Sequence, residues 1–233
     1  MDEIIIDGVI GGWEVDPKEI SRQVSNSSGD IKVKINSVGG SVIDGITIYN
    51  LLKSYDKGTV IVEIGAVAAS IASYIALSGD KVVANSNSVF MIHNAWLPAV
   101  GDFIELRKAA DISEGLSSII ANAYAAKTQT GKSEALSLMA KETFYYGAEM
   151  LDAGFVDEII NVDGDMDKTS AYSVTMENLK ACNSAVMEHE VINYEAVAKL
   201  LPKKEVETEP EVVDLSAQQM RARELFILEQ GVL

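Results

Sequence analysis

Short runs of β-branched and aliphatic residues recur along the first ninety positions, each closed by Gly, Asn, Asp or Ser. Ile4 to Ile6, Ile31 to Ile35, Val60 to Ile64, Lys81 to Ala84 and Val89 to His93 have this character and predict strands. Between them, helical patterns cover Asp16 to Val24, Val42 to Tyr55 and Ser70 to Ser78. Asp16 is suited to cap the first of these, and Pro17 to its first helical position, where a missing N–H costs nothing. Strands alternating with helices predict an α/β fold with a mostly parallel sheet and flanking helices.

From Asp102 to Gln129 the pattern becomes one long helix, with Ile104, Ala109, Ile112, Leu116, Ile119, Ile120 and Ala123 as its apolar positions. Asp102 is its expected cap and Gly131 follows its end. A helix of this length is expected to protrude from the domain or to pack on another subunit. Ser133 to Lys141 and Gly147 to Ala153 read as two shorter helices, and Phe155 to Ile160 as a last strand. The pattern then weakens. Residues 1–165 are expected to form the main domain, 166–202 a weakly patterned extension, 203–214 a charged linker, and 215–233 an amphipathic terminal helix.

Composition narrows the function. Of 233 residues, 48% are hydrophobic, enough for a sizeable core. A net charge of −16 argues against nucleic acid as the main partner, because phosphate neutralisation requires a basic face. The single cysteine, Cys182, excludes an internal disulfide and fits a reducing compartment. The acidic start, Met1-Asp2-Glu3, is unlike a secretory leader, and no apolar run approaches the roughly 20 residues of a membrane span. A cytoplasmic protein without a membrane partner is expected. No Cys, His and Asp set has metal-ligand spacing, so neither a metal nor a cofactor is expected.

Candidate chemistry centres on Ser70. It follows Gly65 and a run of small residues and precedes Ile71, which places it at a strand-to-helix junction. A serine hydroxyl is inert at neutral pH until a base takes its proton, and His93 lies 23 residues later at the end of a predicted strand. One helix and a return strand fit between them, so a parallel crossover can bring both to the same sheet edge. The bland alternatives are a helix-capping serine and a structural histidine. Gly39 and Gly40, after the strand Ile31 to Ile35, permit close backbone approach. That loop lacks the Lys-Ser/Thr of a phosphate-binding loop, so an oxyanion hole formed by the Gly40 and Ile71 amides is its better use; the alternative is a plain strand-to-helix turn. Trp13 and Trp96 can line a cleft but are more readily placed in a core. His189 has no assigned role.

Taken together, Gly-Gly-Trp13, Ile-Asn-Ser-Val-Gly-Gly-Ser-Val, Gly-Ala-Val-Ala-Ala-Ser-Ile-Ala-Ser and Met-Ile-His-Asn-Ala-Trp, in this order, resemble the ClpP-like serine proteases, most nearly their phage head-maturation (prohead) branch. The resemblance spans residues 3–162. It implies a ClpP/crotonase-like fold, Ser70 as nucleophile, His93 as general base, and Gly40 and Ile71 as oxyanion donors. It implies a ring-forming homo-oligomer in which the helix Asp102 to Gln129 joins two rings. It also implies strand-like binding of a substrate polypeptide along the loop after Gly101 and the glycine-rich strand edge.

Three departures from the family pattern stand out. Val38 replaces a usual proline. With the first strand expected from Ile4, the family's pore-forming N-terminal extension is missing, so an ATPase partner is not expected. Ala140 stands where the family's Leu-Met-Asp-x-Glu-Thr-aromatic stretch carries its catalytic aspartate, in Leu138-Met139-Ala140-Lys141-Glu142-Thr143-Phe144. Three explanations compete: a deliberate inactivating substitution, which is preferred; a Ser–His dyad or replacement by Glu142; or a natural non-enzyme. On the preferred explanation Ala140→Asp raises activity. The leading expectation is a serine endopeptidase that cleaves capsid or scaffold protein in the host cytoplasm or prohead interior, and in some cases its own tail. Its linker is expected to be a solvated tether; the sharper alternative is that it carries the terminal helix into contact with scaffold or capsid protein during assembly. The alternatives are an inactive ClpP-fold assembly protein and a crotonase-type acyl-CoA enzyme.

Overall fold

The computed structural model describes residues 1–161. The predicted extension, linker and terminal helix, with Cys182 and His189, lie outside the described residues.

The elements run β1 (Asp2–Ile10), α1 (Pro17–Asn26), β2 (Ile31–Gly40), α2 (Val42–Lys53), β3 (Val60–Ala69), α3 (Ile71–Ala76), β4 (Lys81–Asn85), β5 (Val89–Ile92), α4 (Phe103–Thr128), α5 (Lys132–Ala140), β6 (Thr143–Tyr146), α6 (Glu149–Asp152) and β7 (Glu158–Ile160). The sheet order β1-β2-β3-β4-β7 is parallel throughout. Alternate residues of β2, from Ile31 through Val33 and Ile35, are fully buried and meet helices on the sheet's face. The α/β fold with a mostly parallel sheet and flanking helices is therefore the one observed.

β3 is the element on which the site depends. Residues 61–64 pair with β4, but residues 67–69 leave it and pair with β5. At this fork the ladder changes partner, and the backbone carbonyls there need another donor. Ser88, 1% exposed, supplies it: its hydroxyl faces the carbonyls of Ile64 and Gly65 and accepts the Asn85 N–H at 3.1 Å. The fork carries the end of β3, and hence Ser70, away from β4 and alongside β5, while Ala68 still pairs with Ser37 of β2.

Two strands run further than their apolar runs indicate. β2 continues through Asn36 to Gly40, which the sequence presents as a loop, because an irregularity between Ile35 and Ser37 is absorbed within the sheet. Ser37 stabilises it, donating to the Gly8 carbonyl at 2.5 Å and accepting the Gly39 N–H at 3.1 Å. β3 likewise continues beyond Ile64 to Ala69. β6 has no counterpart among the expected elements; it pairs antiparallel with β5, from Val89–Tyr146 to Ile92–Thr143.

Asp16 caps α1 through the Lys18 N–H, with Pro17 in the first turn. Asp102 and Glu105 form a reciprocal capping box at the start of α4. The long helix protrudes less than expected. Residues 103–108 are exposed, whereas Ala109, Ile112, Leu116, Ile120, Ala121, Tyr124 and Ala125 are buried in the domain's core.

Candidate active site

Ser70 lies between β3 and α3 with φ 55° and ψ −130°, a conformation that L-residues avoid. Its N–H donates to the Met91 carbonyl at 3.0 Å, anchoring the turn to β5. Although it stands at the N-cap of α3, its side chain makes no capping bond. The hydroxyl instead meets His93 Nε2 at 2.6 Å. This excludes the capping reading, since the hydroxyl is directed at the imidazole. The off-region backbone fits an inference of function from an observed strain.

His93 is the first residue after β5, so a strand end carries the imidazole to the turn. Burial holds its pKa below the usual histidine value, and the nearby Glu142 charge works in the opposite direction. A neutral imidazole whose Nε2 receives the serine proton carries its own proton on Nδ1, a tautomer assigned here from the roles of the two atoms.

Gly39 and Gly40 both have positive φ, 102° and 147°. A Cβ on Gly39 would lie 2.6 Å from Ser70 Cβ and 2.9 Å from the Ala69 carbonyl oxygen. A Cβ on Gly40 would collide with the backbone of Ile10 on β1. The glycine pair is thus required by close approach at the end of a strand, just before the Ser41 cap of α2. Gly40 and Ile71 line the same cleft as Ser70 and His93. Ile71 is the first residue of α3, where backbone N–H groups have no partner within the helix. Val38, Trp96, Ile120 and Tyr124 are among the other wall residues. Both tryptophans depart from the core placement: Trp96 is 45% exposed at the cleft, and Trp13 is 90% exposed.

Ala140 is the last residue of α5 and is exposed. The carboxylate whose charge reaches His93 belongs to Glu142. The antiparallel β5–β6 ladder ends at Ile92–Thr143, and Glu142 is the exposed turn residue just before β6. Glu142 has φ 53° just past the end of α5, where helices commonly place a left-handed glycine. The sequence did carry a signal for β6. Thr143-Phe144-Tyr145-Tyr146 is a β-branched and aromatic run closed by Gly147.

Chemically, the cleft brings together a hydroxyl, an imidazole and two candidate amide donors. Among the described residues no group of His, Cys, Asp and Glu has an arrangement able to hold a metal ion, and no helix is long and apolar enough to cross a membrane. A family model, Clp protease, matches residues 20–163, which contain every one of these site residues.

Proposed function

The chain belongs to the Clp protease family, and from that premise we propose that it is a serine endopeptidase acting through Ser70 and His93. The observation that carries the proposal is the 2.6 Å contact between Ser70 Oγ and His93 Nε2. His93 takes the Ser70 proton as Oγ attacks the scissile carbonyl carbon. The Gly40 and Ile71 amides receive the oxyanion. When the tetrahedral adduct collapses, the C–N bond breaks, His93 returns the proton to the departing amine, and an acyl ester remains on Ser70. Water, deprotonated by His93, then attacks the ester and releases the acid.

Glu142 takes the part of the third residue in this reading. Its charge favours the imidazolium formed during each proton transfer. Ala140 then needs no disarming substitution to explain it.

The biological assignment rests on the resemblance of the motifs. The substrate class is polypeptide, the assembly a ring of identical subunits, and the setting the maturation of a phage prohead. Fluorophosphonate labelling with intact-protein mass spectrometry tests the chemistry. One adduct is expected on the chain and none on Ser70→Ala. Absence of an adduct on the folded chain would favour the second reading, an assembly protein that keeps the fold; the exposed Ala140 is what recommends it.

A further inference from the structure

Ser70 and His93 belong to different segments, and both segments are fastened to α4. On the serine side, the Ser70 carbonyl accepts the Ser73 N–H at 3.1 Å and the Ser73 hydroxyl at 2.5 Å. Tyr124 of α4 donates to Ser73 Oγ at 2.7 Å, and its hydroxyl stands 3.5 Å from the same Ser70 carbonyl. On the histidine side, both backbone groups of Ala95 are taken by one turn of α4. The Ala95 N–H donates to Ser117 Oγ at 2.9 Å, and the Ala95 carbonyl accepts from Ser113 Oγ at 2.5 Å. Ser117 in turn donates to the Ser113 carbonyl at 2.8 Å, which fixes the direction of its lone pairs.

At about 100° per helical residue, positions 113, 117 and 124 fall within roughly 40° of one another, forming one stripe along α4. Ser73 is 0% exposed, Tyr124 1% and Ser117 4%, so water is kept from their hydroxyls, while Ser113 is half-buried. We propose that Ser113, Ser117 and Tyr124, with Ser73 as the bridge, are positioning residues: this hydroxyl stripe sets the separation and aim of Ser70 relative to His93. The inference rests on the serine endopeptidase reading for its consequence in catalysis, but not for its geometry.

Satisfying buried polar groups is a need common to any core, and it does not by itself select these partners. Here the satisfied groups are the carbonyl of the strained Ser70 and the peptide two residues beyond the imidazole. A carbonyl held by two hydrogen bonds restrains the rotation that would let Ser70 relax from φ 55°. Tyr124 touches no reacting atom through this network; it acts through Ser73 and the Ser70 backbone.

The test compares Tyr124→Phe and Ser117→Ala with Ser27→Ala in the full chain. Ser27 carries a buried hydroxyl that bonds Gln23 at the end of α1, away from the cleft. Two readouts are taken on folded protein: the rate of fluorophosphonate labelling, and the 15N shift of His93 Nε2. Because the chain has only two histidines, His93→Gln assigns that resonance. A displacement near 1 Å costs up to about a hundredfold in rate, so a loss of about tenfold or more is expected in each stripe variant, with a shifted Nε2 resonance. Ser117→Thr, which keeps the hydroxyl, restores both. Ser27→Ala changes neither. An unchanged Nε2 shift and labelling rate in Tyr124→Phe and Ser117→Ala would overturn the proposal. If the unsubstituted chain itself is never labelled, the peptidase reading fails, while the Nε2 shifts still decide whether the stripe positions His93.

Discussion

Gly39 and Ser70 approach so closely that a side chain on one excludes the observed conformation of the other. A Cβ at position 39 would stand 2.6 Å from Ser70 Cβ and 3.1 Å from its Oγ. Gly29 offers a control, because it also has positive φ, 82°, but faces open space. Alanine at either position carries about 1–3 kcal/mol of backbone strain. Gly29→Ala should lose stability alone, whereas Gly39→Ala should also lose labelling of Ser70 per folded molecule. Denaturant unfolding and the labelling rate, measured on both variants, separate the two effects. Equal labelling in the two would show that the Gly39 contact does not govern the hydroxyl.

The fork in β3 makes a second prediction. Ser88→Ala removes the donor that faces the Ile64 and Gly65 carbonyls in a buried place. Leaving buried acceptors without a partner costs about 1–3 kcal/mol. Unfolding in urea should show that loss with an unchanged slope. No change in midpoint would mean that the fork holds its direction without the serine.

Asp157 joins the C-terminal part of the domain to the sheet and to α4. It accepts the Val82 N–H at 2.7 Å and Lys127 Nζ at 2.8 and 3.0 Å. Partial burial works against its charge, but Lys127 and the Val82 amide outweigh it and hold the carboxyl below the usual aspartate range. A depressed carboxyl pKa adds stability above the unfolded-state value near 3.8, and that stability is lost as pH falls through the folded-state pKa. The group is partly exposed, so Asp157→Asn should cost only about 1 kcal/mol at neutral pH. The gap should close below about pH 4. A difference that persists undiminished at pH 3 would show that the charge of Asp157 is not its source.

What the sequence made legible follows the range over which each interaction acts. The cap at Asp16 and the pairing of Ser70 with His93 rest on local pattern plus one crossover, and both appear in the structure as the pattern predicts. The paired glycines were read as a loop because glycine ends most strands; here β1 and the Ser70 turn approach so closely that no other residue fits, and the strand continues. Apolarity alone left Trp96 between a cleft wall and a core, with the core the readier place, and the structure puts it in the cleft wall. β6 was hidden between two helical patterns: its β-branched and aromatic run is a readable signal, but four residues are too short to stand out without the pairing with β5. The motif resemblance directed attention to position 140, whereas the charge that reaches His93 is that of Glu142, two residues further on. Sequence spacing alone carries no record of that interaction.

The opposed roles of Ala140 and Glu142 can be decided by a pH profile. Burial depresses the His93 pKa and Glu142 partly restores it, so the acidic limb of the labelling rate should lie below the ordinary histidine value of 6.5. The rate should rise with pH through that limb, because the neutral imidazole is the active form. Glu142→Gln removes the charge that favours the imidazolium. It should therefore move the limb to lower pH and also lower the plateau, by up to about ten-thousandfold if the carboxylate matters as much as a triad acid does. Neutralising a remote surface acid would shift neither. Ala140→Asp adds a negative charge at the end of α5, where Glu142 already serves, so its plateau should stay within a few-fold of the unsubstituted chain. A large gain in Ala140→Asp, together with an unchanged limb and plateau in Glu142→Gln, would assign the missing acid to position 140 and remove Glu142 from the mechanism.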